Sequence, residues 1–268
     1  MMRKVGAMLS VLFLMSSSMV RPATAADDAE YRAKVAALGG YAGYLDPRAL
    51  PNSIALLPPP PAPGSAEEAR DVAIAAADRK LAATPRWDLA RRDAELRGDP
   101  SVKSFGCAAA IEITEKGTPN TYRLLRRSLL DFGLGTYAAK QRYRRPRPFM
   151  SNGSALCTPN EEQALRADGS YPSGHSAIGF GWGLVLAGLV PGRVDALMRR
   201  GIDFGDSRAV CNVHWASDVE QGRVVAAAVF ARLQAEPAFR SDFEAARAEL
   251  VTAPAAADCA DPVRASQD

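Results

Sequence analysis

The chain has 268 residues but only two histidines, four cysteines and three tryptophans. With so few imidazoles, and no thiolates or carboxylates grouped at ligand spacing, no metal or other cofactor is expected. The longest apolar run, residues 5–20, falls short of the roughly 20 residues that a spanning helix needs, so a membrane span is not expected. No stretch alternates apolar and polar residues as a half-buried strand does, which argues against a sheet. There is no internal repeat and no second block of composition, so the reading is a single-domain, all-α helical bundle.

Arg3 and Lys4, the apolar run to Val20 and the small triplet Ala23-Thr24-Ala25 have the layout of a secretory signal cleaved after Ala25, which predicts a periplasmic protein. The segment takes Arg3, Lys4 and Arg21 with it. The remaining 30 basic residues then balance 30 acidic ones, and no nucleic acid is expected as a specific partner. An exported chain also gives cysteine a use, because disulfides persist in oxidising compartments. Cys157 lies between the first two of the polar motifs described below and Cys211 within the third, between Arg208 and His214, so a bridge between them would brace those motifs. Cys259 either ties the C-terminal tail to Cys107 or stays free. For Cys107 and Cys211, service as small buried apolar side chains is the alternative.

Residues 26–64 end in Leu56-Leu57-Pro58-Pro59-Pro60-Pro61-Ala62-Pro63-Gly64, which favours extended chain, so they are expected to form an arm packed over the domain. Residues 65–251 are read as the helical domain. Ser65-Ala66-Glu67-Glu68 has capping-box spacing and opens a helix to about residue 82. Further helices are predicted at about 87–97, 102–113, 119–143, 176–189, 193–209, 217–235 and 238–251, with Thr118 capping and Pro119 opening the fourth. Residues 252–268 have the composition of a disordered tail.

Three polar clusters interrupt this pattern. Five basic residues lie between Lys140 and Arg147, which fits a solvated face or an anion site; a guanidinium fork can donate two parallel hydrogen bonds to a phosphoryl group. Pro172-Ser173-Gly174-His175 precedes an apolar helix. It is either a turn with a capping serine or a place where the Ser173 hydroxyl and the Ser173 and Gly174 N–H groups face an anion. In the third cluster Asp218 follows His214 by four residues, so on one helical face its carboxylate would hold an imidazole N–H and leave the other nitrogen free to attack. A surface ion pair is the plainer reading. These spacings do not by themselves say which histidine attacks.

The order is more specific than any piece. Lys140, six residues, Arg147-Pro148, then Pro172-Ser173-Gly174-His175, then Ser207-Arg208, five residues, His214, three residues, Asp218, resembles the three-part signature of the type-2 phosphatidic acid phosphatase superfamily. Within it, Gly169-Ser170-Tyr171-Pro172-Ser173-Gly174-His175 is similar to the signature of the class A bacterial nonspecific acid phosphatases, with Ser176 where that class usually has threonine. The resemblance covers about residues 56–250. It implies phosphate monoester hydrolysis over a broad substrate range without a metal, through a phosphohistidine on His214, oriented by Asp218. His175 would be the acid, with Lys140, Arg147, Ser173, Gly174 and Arg208 holding the phosphate. It also implies inhibition by vanadate, an acidic working pH and association into homo-oligomers. The absence of any Asp-x-Asp pair argues against an aspartyl-phosphate enzyme. Two alternatives share these residues: a vanadate-dependent haloperoxidase, and a non-catalytic periplasmic phosphate-binding protein, which would need the cations but neither the histidine pair nor Asp218.

Overall fold

The computed structural model of the chain describes residues 25–257 and Cys259; the expected signal cleavage falls at the edge of this range, and residues 1–24 lie outside it. Thirteen α-helices are present among the described residues: α1 (Ala25–Ala37), α2 (Ser53–Leu56), α3 (Ala66–Asp78), α4 (Pro85–Asp93), α5 (Gly98–Ala109), α6 (Pro119–Leu134), α7 (Tyr137–Tyr143), α8 (Pro148–Asn152), α9 (Glu162–Ala167), α10 (Gly174–Leu189), α11 (Val194–Val210), α12 (Ala216–Leu233) and α13 (Pro237–Leu250). No strand is found among these residues, where the nearest thing to a sheet is an isolated antiparallel bridge between Ile111 and Ala255. None of the described helices is long and apolar enough to cross a membrane. The all-α expectation holds.

The apolar run read as a buried helix is α10, and it forms the axis of the fold. It packs most extensively on α11 and α12, then on α6. Trp182, at its centre, is fully buried, stands edge-on to Phe105 with ring centroids 5.4 Å apart, and donates its indole N–H to the Leu125 carbonyl at 2.8 Å. Backbone approaches backbone where α10 meets α11, because a Cβ on Gly201 would lie 2.8 Å from the Gly179 carbonyl oxygen. Ser173 caps α10, its hydroxyl accepting from the Ser176 N–H at 3.3 Å. At the other end the helix stops two residues before Pro191.

Several boundaries differ from the sequence reading for local reasons. The helix expected to run from 119 to 143 breaks between Leu134 and Tyr137, where the Thr136 hydroxyl donates back to the Gly133 carbonyl at 2.7 Å. Helix α5 stops at Ala109 rather than 113, since Ala110 turns left-handed at φ 60° and leads into the bridge at Ile111. The arm is not extended throughout: it opens with α1, to which the sequence reading assigns no helix. Its later part lies on the domain. The Tyr44 and Leu45 N–H groups donate to buried Asp131, and the Pro58 carbonyl accepts from the Tyr171 hydroxyl at 2.7 Å. The start of the tail is likewise placed rather than free, with the Pro254 carbonyl accepting from the Glu112 N–H at 2.9 Å and the Ala256 N–H donating to the Ala110 carbonyl. Two disulfides are present, Cys107–Cys259 and Cys157–Cys211. The first secures the tail, and the second joins the loop after α8 to the end of α11.

Candidate active site

The three polar clusters come together beside the N-terminus of α10. Lys140 sits on α7, Arg147 immediately before α8, Gly174 and His175 at the start of α10, Arg208 on the last turn of α11, and His214 in the turn before α12. All six line one cavity of about 210 Å³. Ser173 and Asp218 are fully buried behind it. A Cβ at Gly174 would meet only the Thr136 hydroxyl at 3.7 Å, so the protein's own packing does not require glycine on this wall.

His214 lies between Arg147 and Asp218, with its Nδ1 buried and making no hydrogen bond among the described residues. Arg147 Nη1 lies 3.1 Å from its Nε2 and donates to the Val213 carbonyl at 2.9 Å. A guanidinium has only donors, so the imidazole nitrogen facing it offers its lone pair and the ring proton resides on Nδ1. That nitrogen faces Asp218, whose Oδ2 is 3.4 Å away. Burial, and then the charge of Arg147, push His214 well below its ordinary pKa, so the ring is neutral. Asp218 is raised by its own burial, against which Arg145 and the Trp215 N–H act. Those two contacts are short: Arg145 Nη1 donates to Asp218 Oδ1 at 2.7 Å, and the Trp215 N–H to Oδ2 at 2.8 Å.

His175 has the opposite arrangement. Its Nε2 lies 3.0 Å from the Ala94 carbonyl, an acceptor only, so the proton is on Nε2 and Nδ1 carries the lone pair. Its ring stacks on Phe204 at an interplanar angle of 22°. Burial, followed by the charge of Arg208, holds it well below the usual histidine pKa.

The cations are unequally engaged. Lys140 Nζ donates to the Gly169 carbonyl at 2.5 Å and to Asp168 Oδ2 at 3.3 Å; burial, then Arg147, lowers its pKa to about 8. Arg147 Nη2 donates to the same Asp168 oxygen at 3.0 Å. Arg208 is fully buried and forms a long ion pair with Glu161 at 3.8 Å, while its Nε and Nη1 have no hydrogen-bond partner among the described residues. Buried donors left unmade cost about 1–3 kcal/mol each, so Arg208 is poised for an anionic ligand. One expectation needs correction: the Ser173 N–H does not face the cavity, because it donates to the Asp218 carbonyl at 2.9 Å. Its hydroxyl accepts from the helix and keeps its own proton to give.

The model of the PAP2 superfamily matches residues 125–236, a span that holds every residue of this cluster. The chain is 39% identical over 208 residues to a non-specific acid phosphatase of Providencia stuartii, covering 77% of this chain and 84% of that one. It is 39% identical over 209 residues to a non-specific acid phosphatase of Salmonella typhimurium, with 77% and 83% covered. An acid phosphatase of Zymomonas mobilis is 38% identical over 194 residues, with 72% and 74% covered. The chain belongs to the class A acid phosphatases of the PAP2 superfamily.

In this acid phosphatase the sequence reading misses the groups that hold the reactive ones. Asp168, which takes the charge of both Lys140 and Arg147, precedes the motif by a single residue. The Ala94 carbonyl, at the end of α4, carries no side-chain signal at all. Arg145 counts in the sequence only as one of a basic cluster, and Asp71 of α3 lies 147 positions before Asp218, with no spacing to connect them.

Proposed function

We propose that this acid phosphatase hydrolyses phosphate monoesters through a covalent phosphohistidine on His214. One observation carries the reading: Arg147 Nη1 lies 3.1 Å from His214 Nε2 and Asp218 Oδ2 lies 3.4 Å from Nδ1, an arrangement in which a neutral ring keeps its proton on Nδ1 and its lone pair on Nε2. A phosphoryl group entering the cradle would meet that lone pair, with Arg147, Arg208 and Lys140 drawn onto its non-bridging oxygens. Nε2 attacks phosphorus, the bond to the leaving oxygen breaks, and that oxygen takes a proton from His175 Nδ1. In the second step His175 receives a proton from water as the water oxygen displaces His214, releasing inorganic phosphate. Asp218 offsets the positive charge that develops on the His214 ring.

The low pKa of His175 sets the working range, because the ring must gain a proton before it can give one. Acidic solution and the negative charge of a bound phosphoryl group both favour that form. Three side-chain cations supply the charge stabilisation of phosphoryl transfer, so metal independence belongs to the proposal. A broad substrate range belongs to the proposal as well: Leu38, Leu96, Leu130, Leu134 and Ile178 make much of the remaining wall apolar, and Lys34, Thr136 and Tyr137 are the polar side chains that interrupt it. Two disulfides suit an oxidising compartment such as the periplasm. Vanadate, which adopts the five-coordinate geometry of the transferring phosphoryl group, should inhibit.

Hydrolysis of a chromogenic monoester by wild type and His214→Ala, with and without chelator, tests the mechanism. The substitution should abolish turnover and chelator should leave wild type unchanged. Acid-labile, base-stable label on the wild-type protein after a rapid quench is expected; full activity in His214→Ala, or loss with chelator alone, would overturn the reading.

A further inference from the structure

Behind Asp218 lies a second buried carboxylate. Asp71, on α3, is fully buried, as is Asp218, and Arg145 lies between them: Nη1 donates to Asp218 Oδ1 at 2.7 Å and Nη2 to Asp71 Oδ2 at 2.8 Å. Ser217 closes the group. Its N–H donates to Asp71 Oδ1 at 2.9 Å, its hydroxyl donates to Asp71 Oδ2 at 2.5 Å, and the same hydroxyl accepts from Arg145 Nη1 at 2.8 Å. The Trp215 ring covers the guanidinium, its centroid 5.3 Å from the central carbon. Asp71 therefore joins α3 to the first turn of α12, the turn that carries Asp218.

The charges in this group have a direction. A lone Arg145 against Asp218 would neutralise it and leave little negative charge for His214. With Asp71 on its other side, Arg145 is already matched, and the pair hands Asp218 on as an effective single negative charge at the imidazole. The fork also fixes the carboxylate: Oδ1 is taken by Arg145, so Oδ2 is the oxygen turned to His214 Nδ1. We infer that Asp71 and Arg145 are positioning residues for the nucleophile, keeping Asp218 charged and aimed at His214. This rests on the assignment of His214 as nucleophile.

The group makes no approach to the cavity, whose lining includes none of Asp71, Arg145 or Ser217. The expected signature is accordingly in turnover and not in substrate binding. Asp71→Asn keeps the shape and an acceptor for the Ser217 N–H but removes the charge. Its kcat for a chromogenic monoester should fall at least tenfold, with KM within about threefold of wild type, an unchanged circular dichroism spectrum and slower formation of quench-trapped phosphoenzyme. Arg145→Lys keeps a positive charge but lacks the planar fork that sets one nitrogen on each carboxylate, and should show the same fall; it carries the test if Asp71→Asn fails to fold. Ser217→Ala, which removes a hydroxyl and no charge, should lose less than either.

Asp218→Asn and His214→Ala are measured alongside. If both are severely impaired while folded Asp71→Asn and Arg145→Lys turn over within threefold of wild type, the positioning role is wrong and the nucleophile assignment stands. If His214→Ala remains active, the nucleophile assignment itself has failed. A rise in KM with kcat preserved in Asp71→Asn would also overturn the inference, since it would place Asp71 in binding.

Discussion

His214 and His175 are neutral imidazoles of opposite tautomer: the first is protonated on Nδ1 because Arg147 faces its Nε2, the second on Nε2 because the Ala94 carbonyl does. Each ring thus presents a different nitrogen as its free base. The two sites also differ in charge. Asp218 stands behind His214, where positive charge is to be tolerated, whereas His175 has only a neutral carbonyl and a nearby Arg208.

This asymmetry predicts the pH dependence. His175 is depressed below its ordinary value of 6.5, so the free enzyme gains the proton only in acid, and kcat/KM for monoesters with poor leaving groups should rise as pH falls below about 6.5. His175→Ala should lose that rise and should slow alkyl monoesters at least tenfold more than nitrophenyl ones, whose leaving oxygen needs no proton. Equal losses on both substrate types, from steady-state rates between pH 4 and 8, would remove His175 from the acid role. Stability should move the other way. Unfolded chain binds protons at these two histidines near pH 6.5 while the folded site resists them, so their contribution is fully present above 6.5 and is lost as pH falls toward the folded values. Inorganic phosphate should counter the loss, which thermal melts at pH 5 with and without it would show.

Asp168 is the anion that Lys140 and Arg147 hold in the absence of a ligand. A phosphoryl group must compete with it. Asp168→Asn should therefore tighten competitive inhibition by inorganic phosphate by up to about fivefold, the range expected from removing one partly exposed ion-pair partner. The measurement belongs at pH 5 to 6, where Lys140, lowered to about 8, is still fully charged. Weaker inhibition would mean that Asp168 organises the cradle more than it competes.

The Cys157–Cys211 disulfide links positions 54 residues apart and ends three residues before His214. Chain entropy alone assigns a loop of that size about 4 kcal/mol. Cys157→Ser with Cys211→Ser should lower the melting temperature markedly. Activity should also fall at temperatures below the melt, because the bridge ends three residues before His214 and its loss leaves that turn to weaker ties such as the Phe149 N–H donating to the Asn212 carbonyl at 3.1 Å. Unchanged kcat up to the melting transition would show that the turn holds its shape without the bridge.

The elements with a strong local cause are legible in the amino-acid sequence: the uniform apolar run of α10, the proline at the start of α6 and the capping serine before α3. The motif residues are legible too, since the chemistry fixes residue type and spacing together. What escapes is held by contacts between distant segments or by the backbone. The Ala94 carbonyl has no side-chain signature, and the placing of residues 252–257 depends on a bridge to Ile111 and a disulfide to Cys107. The break after Leu134 needs the Thr136 hydroxyl to turn back on its own helix, a choice the sequence permits but does not compel. The Ser173 N–H is misjudged for a similar reason: its partner, the Asp218 carbonyl, comes from another helix.

Closeness between α10 and α12 gives one further prediction. A Cβ on Gly222 would lie 2.5 Å from the Ser173 carbonyl oxygen and 2.9 Å from Ser176 Cβ, neither of which can swing aside. Ser176 is itself fixed, its hydroxyl donating to the Val219 carbonyl at 2.6 Å. Gly222→Ala must then push the two helices apart at the point where Ser173 meets Asp218. Overpacking of this kind costs about 1–3 kcal/mol, and the displacement should reduce kcat as well, since the same contact sets the spacing between the cap of α10 and the carboxylate behind His214. Gly192→Ala, on a surface turn where a Cβ would meet nothing within 4 Å, serves as the control and should change neither melting temperature nor turnover. A Gly222→Ala protein with wild-type stability would mean that the helices adjust along their whole length, and the kcat of that protein would then measure how much separation the Asp218–His214 pair tolerates.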